Sequence, residues 1–442
     1  MRSMRKQNKR LGWRLVALAV VLVALGLGVA FVLNRPTAQK NALKAQEAAL
    51  LKKQYPGTKV QVALKRGQGV FFMAGEKTVP AALKEAAEAA LAGLPATAAG
   101  KAVVVVASRR KAPLALTSVQ AKLQTLYRQH DKLHRRRTSQ QLMVTAAGKR
   151  ATVADLVSDD FGRRALDYAA QTAKAEAADL DQAQLAALMK TPMLAAMTAT
   201  NFRLDDQALT ILTKGGHVAA TVPRRKIAPY LLGASAAAPS GKLVALTFDD
   251  GPNAQTTPGI LKALADHHVK ATFFELGTGI VENPALAKSV KAAGHEVGTH
   301  TYDHLYLPGL KPAAALDQMY GKNLWTYYHV FKTLPPFIRP PYGAISKANA
   351  DLVGMPAIQW SVDSQDWKSK NRDAIIARIK ATTRPGGIVL MHDIQPAEVA
   401  ALPAVIAYLK SQGYQFVTVS QLLGQKLLPG HQYFGQGDER VI

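Results

Sequence analysis

A chain of 442 residues with 48% apolar side chains has room for two or three globular domains and is too apolar to be disordered throughout. It contains no cysteine, which excludes a disulfide frame, a thiol nucleophile and cysteine-ligated zinc. The formal charge of +26 asks for anionic surroundings, and no zinc finger, basic recognition helix or aromatic-interleaved RNA motif accompanies it. The expected partner is therefore the anionic polymer of a cell envelope, met by non-specific electrostatics, and not nucleic acid.

Arg2, Arg5, Lys6, Lys9, Arg10 and Arg14 precede the run 15–33, which has no polar side chain. At ~1.5 Å per residue such a run nearly covers the ~30 Å hydrocarbon core of a bilayer. It also lacks the Ala-x-Ala end of a cleaved signal peptide. Residues 1–34 are thus predicted to be a cytoplasmic basic tail and an uncleaved transmembrane helix, anchoring a single-pass protein with the rest of the chain outside the cell. Residues 35–55, rich in Ala, Lys and Gln, are expected as a helical stalk.

Residues 56–233 are read as a smaller α+β extracytoplasmic region. Strand patterns at 59–64 and 102–107 flank a helical run at 80–91, and further helical patterns are read at 118–133 and 153–177. A strand pair at 202–204 and 208–212 precedes the segment 222–232. The basic runs Arg135-Arg136-Arg137 and Arg224-Arg225-Lys226 read first as solvated faces, with wall binding as the alternative.

A linker of small residues is placed at 234–241. Beyond it the pattern becomes regular, with strands at 243–248, 271–276, 295–299, 336–339, 357–362, 387–391 and 415–419 separated by amphipathic helices. This alternation predicts an α/β fold class with a parallel sheet, closed or nearly closed as a distorted seven-stranded (β/α) barrel over 242–425, followed by a C-terminal tail at 426–442. Polar chemistry should then gather at the carboxyl ends of the strands.

It does. The first strand ends in Asp249-Asp250, and two adjacent carboxylates in a half-buried site repel by several kcal/mol unless a cation or arginine compensates. The third ends in His300-Thr301-Tyr302-Asp303-His304, where an i, i+4 spacing lets both imidazoles reach one metal. Arg339-Pro340-Pro341-Tyr342-Gly343, Asp363-Ser364-Gln365-Asp366-Trp367 and Leu390-Met391-His392-Asp393 follow the fourth, fifth and sixth.

Taken in order, these five motifs resemble those of the polysaccharide deacetylase domain, the NodB-homology fold of the fourth carbohydrate esterase family, over about residues 242–423. The resemblance implies that Asp250, His300 and His304 hold a divalent metal, usually zinc, with cobalt or manganese as alternatives. It implies Asp249 as the general base, Arg339 as the group orienting it, and the Tyr342 backbone N–H as an oxyanion donor on the substrate side. His392 would be the general acid, because an amine leaves poorly unless protonated. Asp366 would pair with His392, favoured over Asp363 because it adjoins the tryptophan, while Trp367 and Leu390 wall the acetyl methyl pocket. The implied activity is metal-dependent N-deacetylation of an acetylated glycan, with peptidoglycan N-acetylglucosamine favoured. Chitin oligomers, an exopolysaccharide or acetylated xylan are alternatives, and a non-catalytic wall-binding module is the remote one.

Overall fold

The computed structural model describes residues 59–64, 67–73, 79–97, 99–129, 132–233, 240–424 and 427–442. The run 15–33 predicted to cross the membrane, the expected stalk and nearly all of the expected 234–241 linker lie outside the described residues. Among those described, no helix is long and apolar enough to cross a membrane. The chain divides into two compact units, one from the region up to residue 155 with 200–206 and 214–216, the other from 156–199, 207–213 and 217–442.

The first unit carries β1 (Lys59–Leu64), β2 (Gly67–Met73), β3 (Ala99–Lys111), β4 (Thr117–Gln129) and β5 (Lys132–Val144) in one sheet of that order. Only β2 and β3 run parallel, and the helix Ala81–Ala92 makes the crossover between them. The helix predicted at 118–133 is corrected here. Val119, Ala121, Leu123 and Thr125 are buried in alternation on β4, which pairs antiparallel with both β3 and β5. β6 (Phe202–Leu204) is counted with this unit.

The second unit begins earlier than expected. Residues 156–199, read as part of a separate region, belong with the deacetylase-like segment. The helix Asp160–Glu176 lays Tyr168 against the later chain, where its hydroxyl donates to the Pro335 carbonyl at 2.8 Å. Leu185 and Leu188 join a core cluster with Met319, Leu324, Tyr328 and Ile338. β7 (Ala208–Leu212) and β8 (Val218–Pro223) form an antiparallel hairpin.

The main sheet of this unit contains β9 (Leu243–Asp249), β10 (Thr272–Glu275), β11 (Glu296–Thr299), β12 (Ala357–Ile358), β13 (Val362–Asp363), β14 (Gly387–His392), β15 (Gln415–Phe416), β16 (His431–Gly435) and β17 (Asp438–Val441). Its central order is β11-β10-β9-β14, all parallel. β9 is buried at every position, as an apolar run covered on both faces requires. Val244, Leu246 and Phe248 pack on the helix side, each fully buried side chain contributing about 1.5–3 kcal/mol. Leu243 and Ala245 join Phe274, Phe337 and Ile388 on the other face.

Three predicted strands differ in detail. Segment 336–339 contributes only single bridges, Thr299 to Ile338 and Ile338 to Ala357, because the flanking Pro335, Pro336, Pro340 and Pro341 have no N–H to offer a ladder. The strand read at 357–362 is two short pieces, β12 and β13. The one read at 415–419 stops after Phe416, since Thr418 caps a helix at Val419–Leu423. The stretch read as a C-terminal tail is in fact part of the sheet, through β16 against β12 and β14 and through β17 against β16.

Candidate active site

Side chains alternate along a strand, so the residues following Ala245 on its face of β9 are Thr247 and Asp249. On β14 the same face carries Ile388, Leu390 and His392. The parallel register sets Leu390 beside Thr247 and His392 beside Asp249, while Phe274 of β10 lies on the other side of Asp249. Two hydrogen-bonding strands thus deliver the expected base and acid as lateral neighbours at their carboxyl ends.

Arg339 is fully buried. Its Nη1 donates to Asp249 Oδ1 and to Thr247 Oγ1, both at 2.7 Å, and its Nη2 donates to the Gln359 carbonyl at 3.0 Å. The guanidinium carbon stands 4.0 Å from the centre of the Phe274 ring. Burial works against the charge on Arg339, and the Asp249 carboxylate opposes that effect. With Asp249 Oδ1 held this way, Oδ2 is left 3.6 Å from His300 Nε2.

Asp250, His300 and His304 come together as the motifs imply, with their nearest ligand atoms all within 4.8 Å of one another. Asp250 Oδ1 is 3.6 Å from His300 Nε2 and 3.5 Å from His304 Nε2. Neighbouring ligands of a tetrahedral ion with ~2.0–2.1 Å bonds stand about 3.3–3.4 Å apart, so the trio is close to the spacing one such ion needs. His300 Nδ1 lies 2.7 Å from the Arg339 carbonyl. A carbonyl only accepts, so Nδ1 carries the hydrogen and the Nε2 lone pair faces Asp250. Burial lowers both imidazoles and keeps them neutral, while burial raises Asp250, helped by the charge of Asp249. Asp250 Oδ1 is buried with no hydrogen-bond partner. A divalent cation would satisfy that oxygen and both lone pairs, so the residues fit the metal that the sequence implies.

Asp366 is fully buried and pairs with His392, as expected, through Oδ1 at 2.7 Å from Nδ1. Its Oδ2 accepts from the His392 backbone N–H at 2.7 Å, and Oδ1 also accepts from Trp367 N–H. Asp363 is occupied elsewhere, accepting from the Gln365 N–H at 2.8 Å. Burial alone lowers the His392 imidazole, but the hydrogen bond and charge of Asp366, with Asp249 and Asp250, outweigh it and hold the group at about 9. Leu390 is buried beside His392, whereas Trp367 and Tyr342 are exposed at the rim. Tyr342 packs edge-on to His304 with ring centres 4.6 Å apart.

Sequence reasoning assigned no role to Thr247, whose hydroxyl donates to the Val389 carbonyl at 2.7 Å while accepting from Arg339. Its signal was its place two residues before Asp249 on one strand face. Thr247→Val should cost about 1–3 kcal/mol in urea denaturation by removing a donor to the Val389 carbonyl and leaving one buried guanidinium N–H without its acceptor, and Thr247→Ser should recover most of it. Asp393 accepts from Thr257 Oγ1 at 2.7 Å, and a Cβ at Gly251 would meet its Oδ2, so a glycine is needed where the Asp249-Asp250 turn passes over it. The left-handed backbone at Asp250, Thr301, His304, Tyr342 and Gln365 gave no sequence signal, since none is glycine.

Residues 236–354 match the polysaccharide deacetylase family. Among curated relatives, the peptidoglycan-N-acetylglucosamine deacetylase PgdA of Listeria monocytogenes is 44% identical over 208 residues, 46% of this chain and 44% of the relative. The chain therefore spans less than half the length of that relative. A peptidoglycan-N-acetylglucosamine deacetylase of Bacillus cereus is 37% identical over 42% of this chain and 90% of its own length. A chitooligosaccharide deacetylase of Bradyrhizobium is 36% identical over 40% of this chain and 90% of its own.

Proposed function

The chain belongs to the polysaccharide deacetylase family, and on that premise we propose that it hydrolyses N-acetyl groups of a cell-wall glycan, with peptidoglycan N-acetylglucosamine as the substrate. The observation that carries the reading is the meeting of Asp250, His300 and His304 at one point, with Asp249 and His392 in lateral register beside it. We read the strand arrangement as a distorted seven-stranded barrel whose carboxyl-terminal rim is the active site.

Asp250, His300 and His304 would hold a divalent metal, with zinc favoured for this donor set, which would supply Lewis acidity and bring the pKa of water towards ~7. Asp249, oriented by Arg339, takes the proton of the attacking water. The Tyr342 N–H, which has no acceptor among the described residues, donates to the oxyanion that forms on the acetyl carbonyl. His392 gives its Nε2 proton to the departing amine, its Nδ1–H being fixed on Asp366. Leu390 and Trp367 wall the space for the acetyl methyl group.

The same proposal places the protein at the cell membrane, anchored by the run 15–33, with its catalytic unit outside. Residues 156–442 carry 28 lysines and arginines against 24 aspartates and glutamates, so most of the +26 lies before the catalytic unit. Attraction to anionic wall polymers would then come from the preceding region.

Purified protein incubated with peptidoglycan should release acetate, and a chelator should stop it until zinc is restored. The similarity to a chitooligosaccharide deacetylase supports a second reading, deacetylation of chitin oligomers. Acetate from chitin oligomers but none from peptidoglycan would transfer the assignment to that substrate; chelator-insensitive release would remove the metal from the mechanism.

A further inference from the structure

We infer that Gln359 and Gln432 are positioning residues for the Tyr342 turn, which makes the C-terminal strand β16 a working part of the catalytic unit. The inference rests on the reading of the Tyr342 N–H as an oxyanion donor. Gln359 is buried at 2% exposure just beyond β12, and its Nε2 donates to the Gly343 carbonyl at 2.9 Å and to Gln432 Oε1 at 2.7 Å. A backbone carbonyl only accepts, so the Gly343 contact fixes which end of the Gln359 amide points there. The second amide hydrogen then requires an acceptor, and Gln432 must present its oxygen. Both orientations are set by one carbonyl, the one immediately after Tyr342.

That carbonyl needs an anchor because the turn is strained. Tyr342 sits at φ 59°, ψ 13° and Gly343 at φ 68°, two successive left-handed residues of which the first has a Cβ. The turn's own bonds, Gly343 N–H to the Pro340 carbonyl and Ala344 N–H to the Pro341 carbonyl, are both 3.0 Å and fix its closure but not its tilt towards the metal trio. Gln359 ties the turn to two things at once. Its carbonyl accepts from Arg339 Nη2 at 3.0 Å, and its N–H donates to the Tyr433 carbonyl of β16 at 2.8 Å. The base-holding arginine, the oxyanion turn and the last parallel pairing of the sheet therefore share one glutamine, with Gln432 completing it from β16.

Displacing a donor should act in the transition state more than on the bound substrate. Gln359→Met is expected to lower kcat for acetate release about tenfold with KM and metal stoichiometry within twofold of wild type, less than the ~100- to 1,000-fold loss of an oxyanion donor itself. Gln432→Met should lower kcat about threefold, and Gln432→Glu, which keeps an acceptor for Gln359, should restore it. Assays run well below the melting temperature of each variant separate this from loss of fold. Should Gln359→Met not fold, the Gln432 pair decides the matter. Wild-type kcat in both Met variants, equal loss in Gln432→Met and Gln432→Glu, or a fall that tracks metal loss would each overturn the inference. No acetate release from any glycan by the wild-type protein would instead sink the deacetylase reading on which it rests.

Discussion

Asp249→Asn is expected to lower kcat for acetate release by about 10²–10⁴, the range for removing a general base, while metal stoichiometry stays near that of the wild type. The separation follows from where the two oxygens of Asp249 go. Oδ1 is committed to Arg339 and Oδ2 lies 3.6 Å from His300 Nε2, whereas the tight trio of candidate ligands is formed without this residue. A second effect accompanies the first. Arg339 stays charged and fully buried, so replacing its carboxylate by an amide leaves a guanidinium uncompensated, which costs about 3–5 kcal/mol. A denaturation midpoint measured beside kcat and metal content therefore moves in this variant, and activity is compared at a temperature where both proteins are folded. His300→Ala should lower activity and metal content together. Wild-type turnover in Asp249→Asn would remove that residue from the role of base.

The candidate site was legible in the sequence because its residues are grouped locally. Each strand end carries its own polar cluster, and strand alternation alone places Thr247 with Asp249 and Leu390 with His392. The failures come from elements decided at long range. Val119, Leu123 and Leu126 fit a helical spacing as well as Val119, Ala121 and Leu123 fit a strand, and only pairing with β3 and β5 selects the strand. β16 buries His431, Tyr433 and Gly435 between half-buried Gln432 and Phe434, too weak an apolar pattern to distinguish from a tail. The helix Asp160–Glu176 looked like part of a preceding region because nothing in its sequence names Pro335 or Tyr328 as its neighbours. The same limit hid Gln359 and Gln432, 73 residues apart and joined by one hydrogen bond.

Asp366→Asn should shift the alkaline limb of the kcat/KM profile to lower pH and reduce kcat at neutral pH by about 10²–10⁴, the range for a general acid. The sign follows from His392. Its imidazole is held at about 9 against burial, chiefly by Asp366, so the proton needed by the leaving amine persists through neutrality and is lost as pH rises through that value. An amide at 366 keeps a hydrogen-bond acceptor but not the charge, burial then prevails, and the limb falls towards or below the ordinary histidine value of ~6.5. A cation held by Asp250, His300 and His304 would lower the limb of variant and wild type alike, so the quantity that tests the assignment is the shift between the two under the same metal loading. Stability carries the same signature. Because the folded pKa of His392 is raised, its contribution is fully present below ~6.5 and disappears as pH rises through about 9. The wild type should therefore exceed Asp366→Asn in unfolding free energy at pH 6 by more than at pH 10. A variant with an unmoved limb and unchanged turnover would show that His392 does not carry the proton to the leaving group under the control of Asp366. An ester substrate offers the contrast, since an alkoxide leaves with less help than an amine, and its hydrolysis should suffer far less from the same substitution.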